Sequence, residues 1–168
     1  TAAYAEVTAN AAATSNYLWR GQEQTSGDAA ISGGIDYTNK SGFYAGAWAS
    51  NASWADEMTY ELDLYAGFGG AINESVSYDV GYIYYAYPDA ASTADADFSE
   101  IYGSISVKGF TFGAAVLATS AASGDGTDFA DSLYLTAGYA FAVGSNGTEI
   151  AFHLGHYSGD FIGDDNII

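Results

Sequence analysis

The amino-acid sequence predicts an all-β fold, an antiparallel up-and-down transmembrane β-barrel, and three observations lead there. Apolar and polar residues alternate with period two in run after run. The connections between runs alternate short and long. The chain has 49% hydrophobic and 16% aromatic residues but only 3 Lys and Arg against 21 Asp and Glu, a formal charge of -18. A single Pro and 21 Gly suit strands and turns, not helices.

In chain order, Ala5 to Ala13, Ala29 to Thr38 and Phe43 to Ser50 are the first legible strands. The clearest is Met58 to Gly69, with Met58, Tyr60, Leu62, Leu64, Ala66 and Phe68 on one face and Thr59, Glu61, Asp63, Tyr65, Gly67 and Gly69 on the other. Val76 to Tyr85, Phe98 to Val107, Phe110 to Val116, Ser132 to Phe141 and Glu149 to Tyr157 follow the same rule. Each approaches the roughly 9 to 11 residues with which a tilted strand crosses a bilayer. Short connections are Asn39 to Gly42, Gly70 to Glu74, Lys108-Gly109 and Gly144 to Gly147. Long ones are Ser15 to Gly27, Asn51 to Glu57, Pro88 to Asp97, Ser120 to Ala130 and the tail from Ser158. Short periplasmic turns and longer outer loops mark outer-membrane barrels.

About nine strands are legible, and an odd number of crossings leaves one edge of an antiparallel barrel unpaired. Residues 1–168 therefore read as a single barrel domain lacking its C-terminal closing strands, with about ten to twelve strands expected in the complete barrel. The competing reading is a complete chain whose edges pair with other copies, a homo-oligomer. Thr1-Ala-Ala-Tyr4 reads as a mature N-terminus left after removal of a signal peptide.

Which face meets which solvent follows from energy. Glu61 and Asp63 aimed at hydrocarbon would cost several kcal/mol each, so in a membrane they face inward. A soluble sandwich gives the same alternation with apolar residues inside, and periodicity alone does not separate the two. Two features favour the membrane: the polar face is small or hydroxylated, and Tyr and Trp cluster near strand ends. Three basic residues cannot neutralise a phosphate backbone, so nucleic-acid binding is excluded. The absence of Cys removes disulfides, thiolate metal sites and Cys nucleophiles, and no apolar run is long enough for a transmembrane helix.

Ser15-Asn-Tyr-Leu-Trp-Arg-Gly21, Gly33-Gly-Ile-Asp-Tyr37, Ser41-Gly-Phe-Tyr-Ala-Gly46, Trp48-Ala-Ser-Asn51, Glu61-Leu-Asp-Leu-Tyr-Ala-Gly67, Tyr78-Asp-Val-Gly-Tyr-Ile-Tyr-Tyr85 and Gly155-His-Tyr157 together resemble the TorF family of porins, proteobacterial outer-membrane proteins. The resemblance runs from about Thr14 to Tyr157 and implies a Gram-negative outer-membrane location and a barrel fold. Members of that family end in a strand that closes on an aromatic residue, whereas this sequence stops at Asp164-Asp-Asn-Ile-Ile168.

Strand parity collects Glu6, Asp36, Glu61, Asp63, Asp79, Glu100 and Glu149 on the inner face. Glu61, Asp63, Asp79, Glu100 and Glu149 are the candidate pore-lining residues, since a narrow acidic passage concentrates cations. The plainer alternative is that these carboxylates bond to neighbouring Tyr and Ser or sit in water. Arg20, the lone arginine, reads as a structural pin of the first long loop, with Trp19 in the membrane interface, or else as a constriction. Asp125, Asp128 and Asp131 in Gly124-Asp-Gly-Thr-Asp-Phe-Ala-Asp131 are a candidate Ca²⁺ loop, weighed against solvated loop charge, as are Asp89, Asp95, Asp97, Asp160, Asp164 and Asp165. His153 and His156 fall on opposite faces of one strand and cannot share a metal. Asn39, Asn51, Asn73 and Asn146 open Asn-x-Ser/Thr triplets that read as turn chemistry.

No nucleophile and base can be paired from the sequence, so no enzyme is expected. The function expected is a passive, cation-preferring porin or ion channel for small solutes in the bacterial outer membrane, without a cofactor beyond Ca²⁺ in the acidic loops. Its partners are lipid, lipopolysaccharide and the transported solutes or cations. The alternative is a non-conducting or self-assembling β-protein of the cell envelope, held by acidic loops and divalent cations.

Overall fold

A computed structural model describes residues 5–91, 96–124, 126–159 and 166–167. Thr1 to Tyr4 and the loop acids Asp95, Asp125, Asp160, Asp164 and Asp165 lie outside them. Twelve strands and no helix are present among the described residues. They are β1 (Glu6–Thr14), β2 (Leu18–Trp19), β3 (Gln22–Glu23), β4 (Ala30–Thr38), β5 (Phe43–Asn51), β6 (Tyr60–Asn73), β7 (Val76–Ala86), β8 (Phe98–Val107), β9 (Phe110–Ser120), β10 (Leu133–Val143), β11 (Thr148–Ser158) and β12 (Asn166–Ile167). Nine long strands and the two-residue β12 form one antiparallel sheet in the order β1-β4-β5-β6-β7-β8-β9-β10-β11-β12, while β2 and β3 make a separate hairpin.

The nine long strands are those the alternation predicts, with two longer than expected. The β6–β7 hairpin extends to a turn at Glu74-Ser75, because a bulge at Ala71/Asn73 lets pairing continue where Gly-rich sequence suggests a loop. β9 continues past Val116 to Ser120 through a register shift opposite Ser99 and Glu100, and Leu117, on the parity of Gly113 and Ala115, faces inward at 1% exposed. The tight β8–β9 turn is Lys108-Gly109, both at positive φ (50° and 87°), the pair of left-handed residues that a two-residue hairpin requires. Three of the Asn-x-Ser/Thr triplets act as read from sequence. The side-chain oxygens of Asn39, Asn73 and Asn146 accept the backbone N–H two residues on, at 2.8, 2.9 and 3.2 Å.

The sheet curls without closing, and its edge is left unpaired as the odd number of strands leads one to expect. Among the described residues β1 pairs with β4 alone, and β12 covers only His156 and Tyr157 of β11. The reason is parity: alternate strands reverse direction, so the first and ninth long strands, β1 and β11, run the same way and cannot join in an antiparallel ladder. Curling is nevertheless strong. Tyr44 on β5 and Tyr102 on β8, three strands apart in the sheet, bring their hydroxyls within 2.7 Å across the concave side.

The two faces have opposite characters. Leu64, Phe68, Val80, Ile101, Phe112 and Phe152 stand exposed on the convex side. Glu61, Asp63 and Glu100 are buried on the concave side. The buried apolar groups gather at the end with long connections: Ala52, Met58, Tyr85, Tyr87, Phe98 and Leu117 form one cluster, and Ala115, Tyr134 and Tyr157 a second. Two positions differ from the sequence expectation. Met58 precedes β6 and packs into the first cluster instead of sharing the outward face of Tyr60 and Leu64, because Glu57 at φ 61° turns the chain before the strand begins. Trp19 is not at the interface; it packs against both clusters from within.

Candidate functional site: an acidic, tyrosine-lined interior

The concave face is built on tyrosines laid across glycines. Tyr65 lies opposite Gly46, and a Cβ on Gly46 would come within 2.5 Å of its ring. Tyr102 covers Gly81 at the same distance on the β7–β8 pair. Tyr44 likewise covers Gly67, its cross-strand neighbour. Each ring fills space that a missing side chain leaves open, and this close approach explains the Tyr-Ala-Gly spacing at 44–46 and 65–67.

Lying flat, the rings bring their hydroxyls to the inner carboxylates. Tyr65 donates to Asp36 Oδ1 at 2.5 Å, Tyr44 to Asp79 Oδ1 at 2.9 Å and Tyr17 to Glu61 Oε1 at 2.8 Å. Tyr87 is within hydrogen-bonding range of Glu61 as well. Of the sequence-predicted lining residues, Glu61, Asp63, Asp79 and Glu100 therefore share the concave side, and Asp79 and Glu61 bond to tyrosine as the plainer alternative anticipates. Glu149 has the same strand parity but stands exposed beside the β10–β11 turn, as Glu6 does at the start of β1.

Arg20 sits at the tip of the β2–β3 hairpin, which folds into the concave side. Its positive φ of 48°, with Gly21 at 78°, makes the tight turn that presents the side chain. Nη1 and Nη2 donate to Oε1 and Oε2 of Glu100 at 2.7 and 2.6 Å, a two-pronged ion pair. The guanidinium also stacks on the rings of Trp19 at 4.3 Å and Tyr134 at 4.2 Å. Burial pulls the Arg20 pKa down, but the hydrogen bonds and charge of Glu100 outweigh it and hold the group above its usual value. Trp19 meets Tyr85 and Phe98 edge-on at 5.8 and 5.9 Å, and Tyr17 meets Trp48 at 5.5 Å. The hairpin, with Tyr17 just before it, thus touches inner residues of β5, β6, β7, β8, β10 and β11 and occupies the mouth at the long-connection end. Sequence reasoning finds Arg20 by its solitude. It does not find the hairpin, whose two-residue strands carry no periodicity.

Near this plug, Asp63 is 7% exposed and its Oδ1 has no hydrogen-bond partner. Burial and the neighbouring Glu61 raise the pKa of Tyr17 and of Tyr87 far above the usual tyrosine range. In the outer loops, Asp97 accepts the Tyr87 N–H at 2.8 Å and the Tyr84 hydroxyl at 2.6 Å, and Asp89 accepts from Thr59, whose hydrogen bond lowers the Asp89 pKa. Asp131 Oδ2 accepts the Asp128 N–H at 2.9 Å, so in the candidate Ca²⁺ loop this oxygen serves the turn. Among the described residues no three His, Cys, Asp or Glu side chains converge to hold a metal ion. His153 pairs with the Tyr134 hydroxyl at 3.1 Å.

A family model described as a bacterial protein of unknown function, Gcw_chp, matches residues 1–166. The chain belongs to that family. No curated protein and no solved structure matches this Gcw_chp chain. The family's description names no porin. What a Gcw_chp interior can do must be read from its chemistry, which is five inward carboxylates (Asp36, Glu61, Asp63, Asp79, Glu100) facing a single guanidinium across a hydroxyl-rich trough. Such an interior attracts cations and repels anions.

Proposed function

We propose that this Gcw_chp protein is a bacterial outer-membrane β-barrel protein whose acidic interior passes small cations by diffusion, as the resemblance to TorF porins implies. One observation carries the reading, the inverted polarity of the sheet: Phe152 and Phe112 are 62% and 52% exposed on the convex face, while Glu61 and Glu100 are 1% and 2% exposed on the concave one. A soluble sandwich needs the reverse. A continuous apolar outer face is at home in lipid, where each carboxylate must turn inward.

The second reading, a non-conducting envelope protein that assembles through its sheet edges, is favoured by the plug. Trp19, Arg20 and the tyrosines around them fill the mouth at one end. Planar-bilayer recording of the detergent-purified protein under a KCl gradient separates the two. Discrete openings whose reversal potential lies on the cation side support the channel. Silence from protein verified as folded moves the reading to the structural role.

A further inference from the structure

We infer that Glu61 and Asp63 form a binding site for one divalent, oxygen-seeking cation of the Ca²⁺ or Mg²⁺ class, within the curled sheet and separate from the loop aspartates. The two residues are two apart on β6 and so share the concave face. They are 1% and 7% exposed, and their carboxyls lie within hydrogen-bonding range of each other. Two carboxylates this close and this dry require a counter-charge or must give up their ionisation.

Among the described residues no base supplies that charge. Both prongs of Arg20 are engaged by Glu100, and Lys40 and Lys108 sit in the short turns at the opposite end of the strands. Beside the Trp48 ring across from Asp63, several oxygens surround the pair. Tyr17 and Tyr87 reach Glu61, and the cross-strand neighbours are Ser50 beside Glu61 and Tyr85 beside Asp63. The observation that points to a ligand is Asp63 Oδ1, a buried acceptor without a donor in a protein whose other inner carboxylates are bonded. One divalent ion balances both negative charges and gives that oxygen its partner. Carboxylates with neutral oxygens are the donor set that hard cations take, whereas softer metals look for His or Cys.

The inference deepens the acidic-interior reading and rests on it in one respect, that ions from solution reach the concave side. Its test is calorimetric titration of the full chain, folded in detergent micelles and stripped with chelator, using CaCl₂ and then MgCl₂. The expected result is saturable uptake of one ion per chain, weakened at least about tenfold in Glu61→Gln/Asp63→Asn and unchanged in Asp128→Asn/Asp131→Asn. Should the double variant fail to fold by circular dichroism, Asp63→Asn alone serves, since it leaves the Tyr17–Glu61 bond in place. Absence of saturable uptake by the folded protein, or uptake untouched by Asp63→Asn, overturns the site and leaves the pair sharing a proton. The same preparations are recorded in bilayers. Uptake without conductance keeps the cation site and removes the channel, and conductance without uptake does the opposite.

Discussion

Replacing Arg20 by Ala removes the guanidinium from the concave side and strands Glu100. Both partners are buried, at 11% and 3% side-chain exposure, so solvent screens the pair little. Without Arg20, Glu100 keeps among the described residues a long contact to the Tyr85 hydroxyl at 3.4 Å. Breaking a buried pair by deleting one member costs about 3 to 5 kcal/mol, because the other charge remains uncompensated. With a urea slope of about 2 kcal/mol per M, a loss of about 4 kcal/mol lowers the unfolding midpoint by about 2 M. Tryptophan emission is a suitable probe, since Trp19 lies within 6.5 Å of three aromatic rings beside the clamp. Arg20→Met combined with Glu100→Gln should restore much of the loss, because no buried charge is then left alone. A shift below about 0.5 kcal/mol for Arg20→Ala, the size of an ordinary surface substitution, would refute the argument that this pair is dry and holds the hairpin in place.

Alkali should loosen the same region. Tyr17 and Tyr87 hold their protons far above the usual tyrosine pKa of 10.0, so the unfolded chain ionises them first. The stability that their neutral forms confer is fully present below about pH 10 and falls by about 1.4 kcal/mol per pH unit per tyrosine above it. Absorbance at 295 nm should show tyrosines that titrate only as circular dichroism reports unfolding; complete titration of a still-folded protein contradicts this. Gly46→Val should displace the Tyr65 ring and cost about 1 to 3 kcal/mol, seen as a lower midpoint, and Tyr65→Ala in the same chain should recover part of it. On the convex face, Phe112→Lys should weaken insertion into vesicles by about 2 to 4 kcal/mol if it sits near the bilayer centre, and an unaffected insertion yield argues against lipid contact there.

Strand positions were legible because alternation is local: Leu62, Leu64 and Phe68 against Glu61 and Asp63 suffice to place β6 and to orient it. The turns were legible for the same reason, since Lys108-Gly109 and Asn39 act through their own backbone. That Glu61, Asp63, Asp79 and Glu100 each lie on the polar face of their strand follows from parity, and that this face is the inner one follows from the energetic cost of turning carboxylates toward hydrocarbon. What parity cannot supply is depth along the strand, so Glu149, near the β10–β11 turn, stands in the open while Glu100, near a long loop, is enclosed. Nor can it supply partners distant in sequence. Arg20 and Glu100 are 80 residues apart, and Tyr17 and Glu61 are 44 apart, so the plug exists only once the sheet has curled. Trp19 was misplaced for that reason and Met58 by a local cause, the turn at Glu57, whereas the unpaired edge was legible in the odd number of strands.

Since the buried clusters lie at the long-connection end, protection from amide exchange should be graded along each strand and not from strand to strand. Neighbouring amides of Ser99, Leu117 and Tyr134 open only with the whole plug, whereas those near Ala142 and Thr148, on equally regular strands, breathe with their turn. An exchange map of this protein would therefore show a band that crosses the sheet at one level, slow on the hairpin side and fast on the other. Ladder pairing sets the shape of the sheet, and the β2–β3 hairpin sets where that shape is firm.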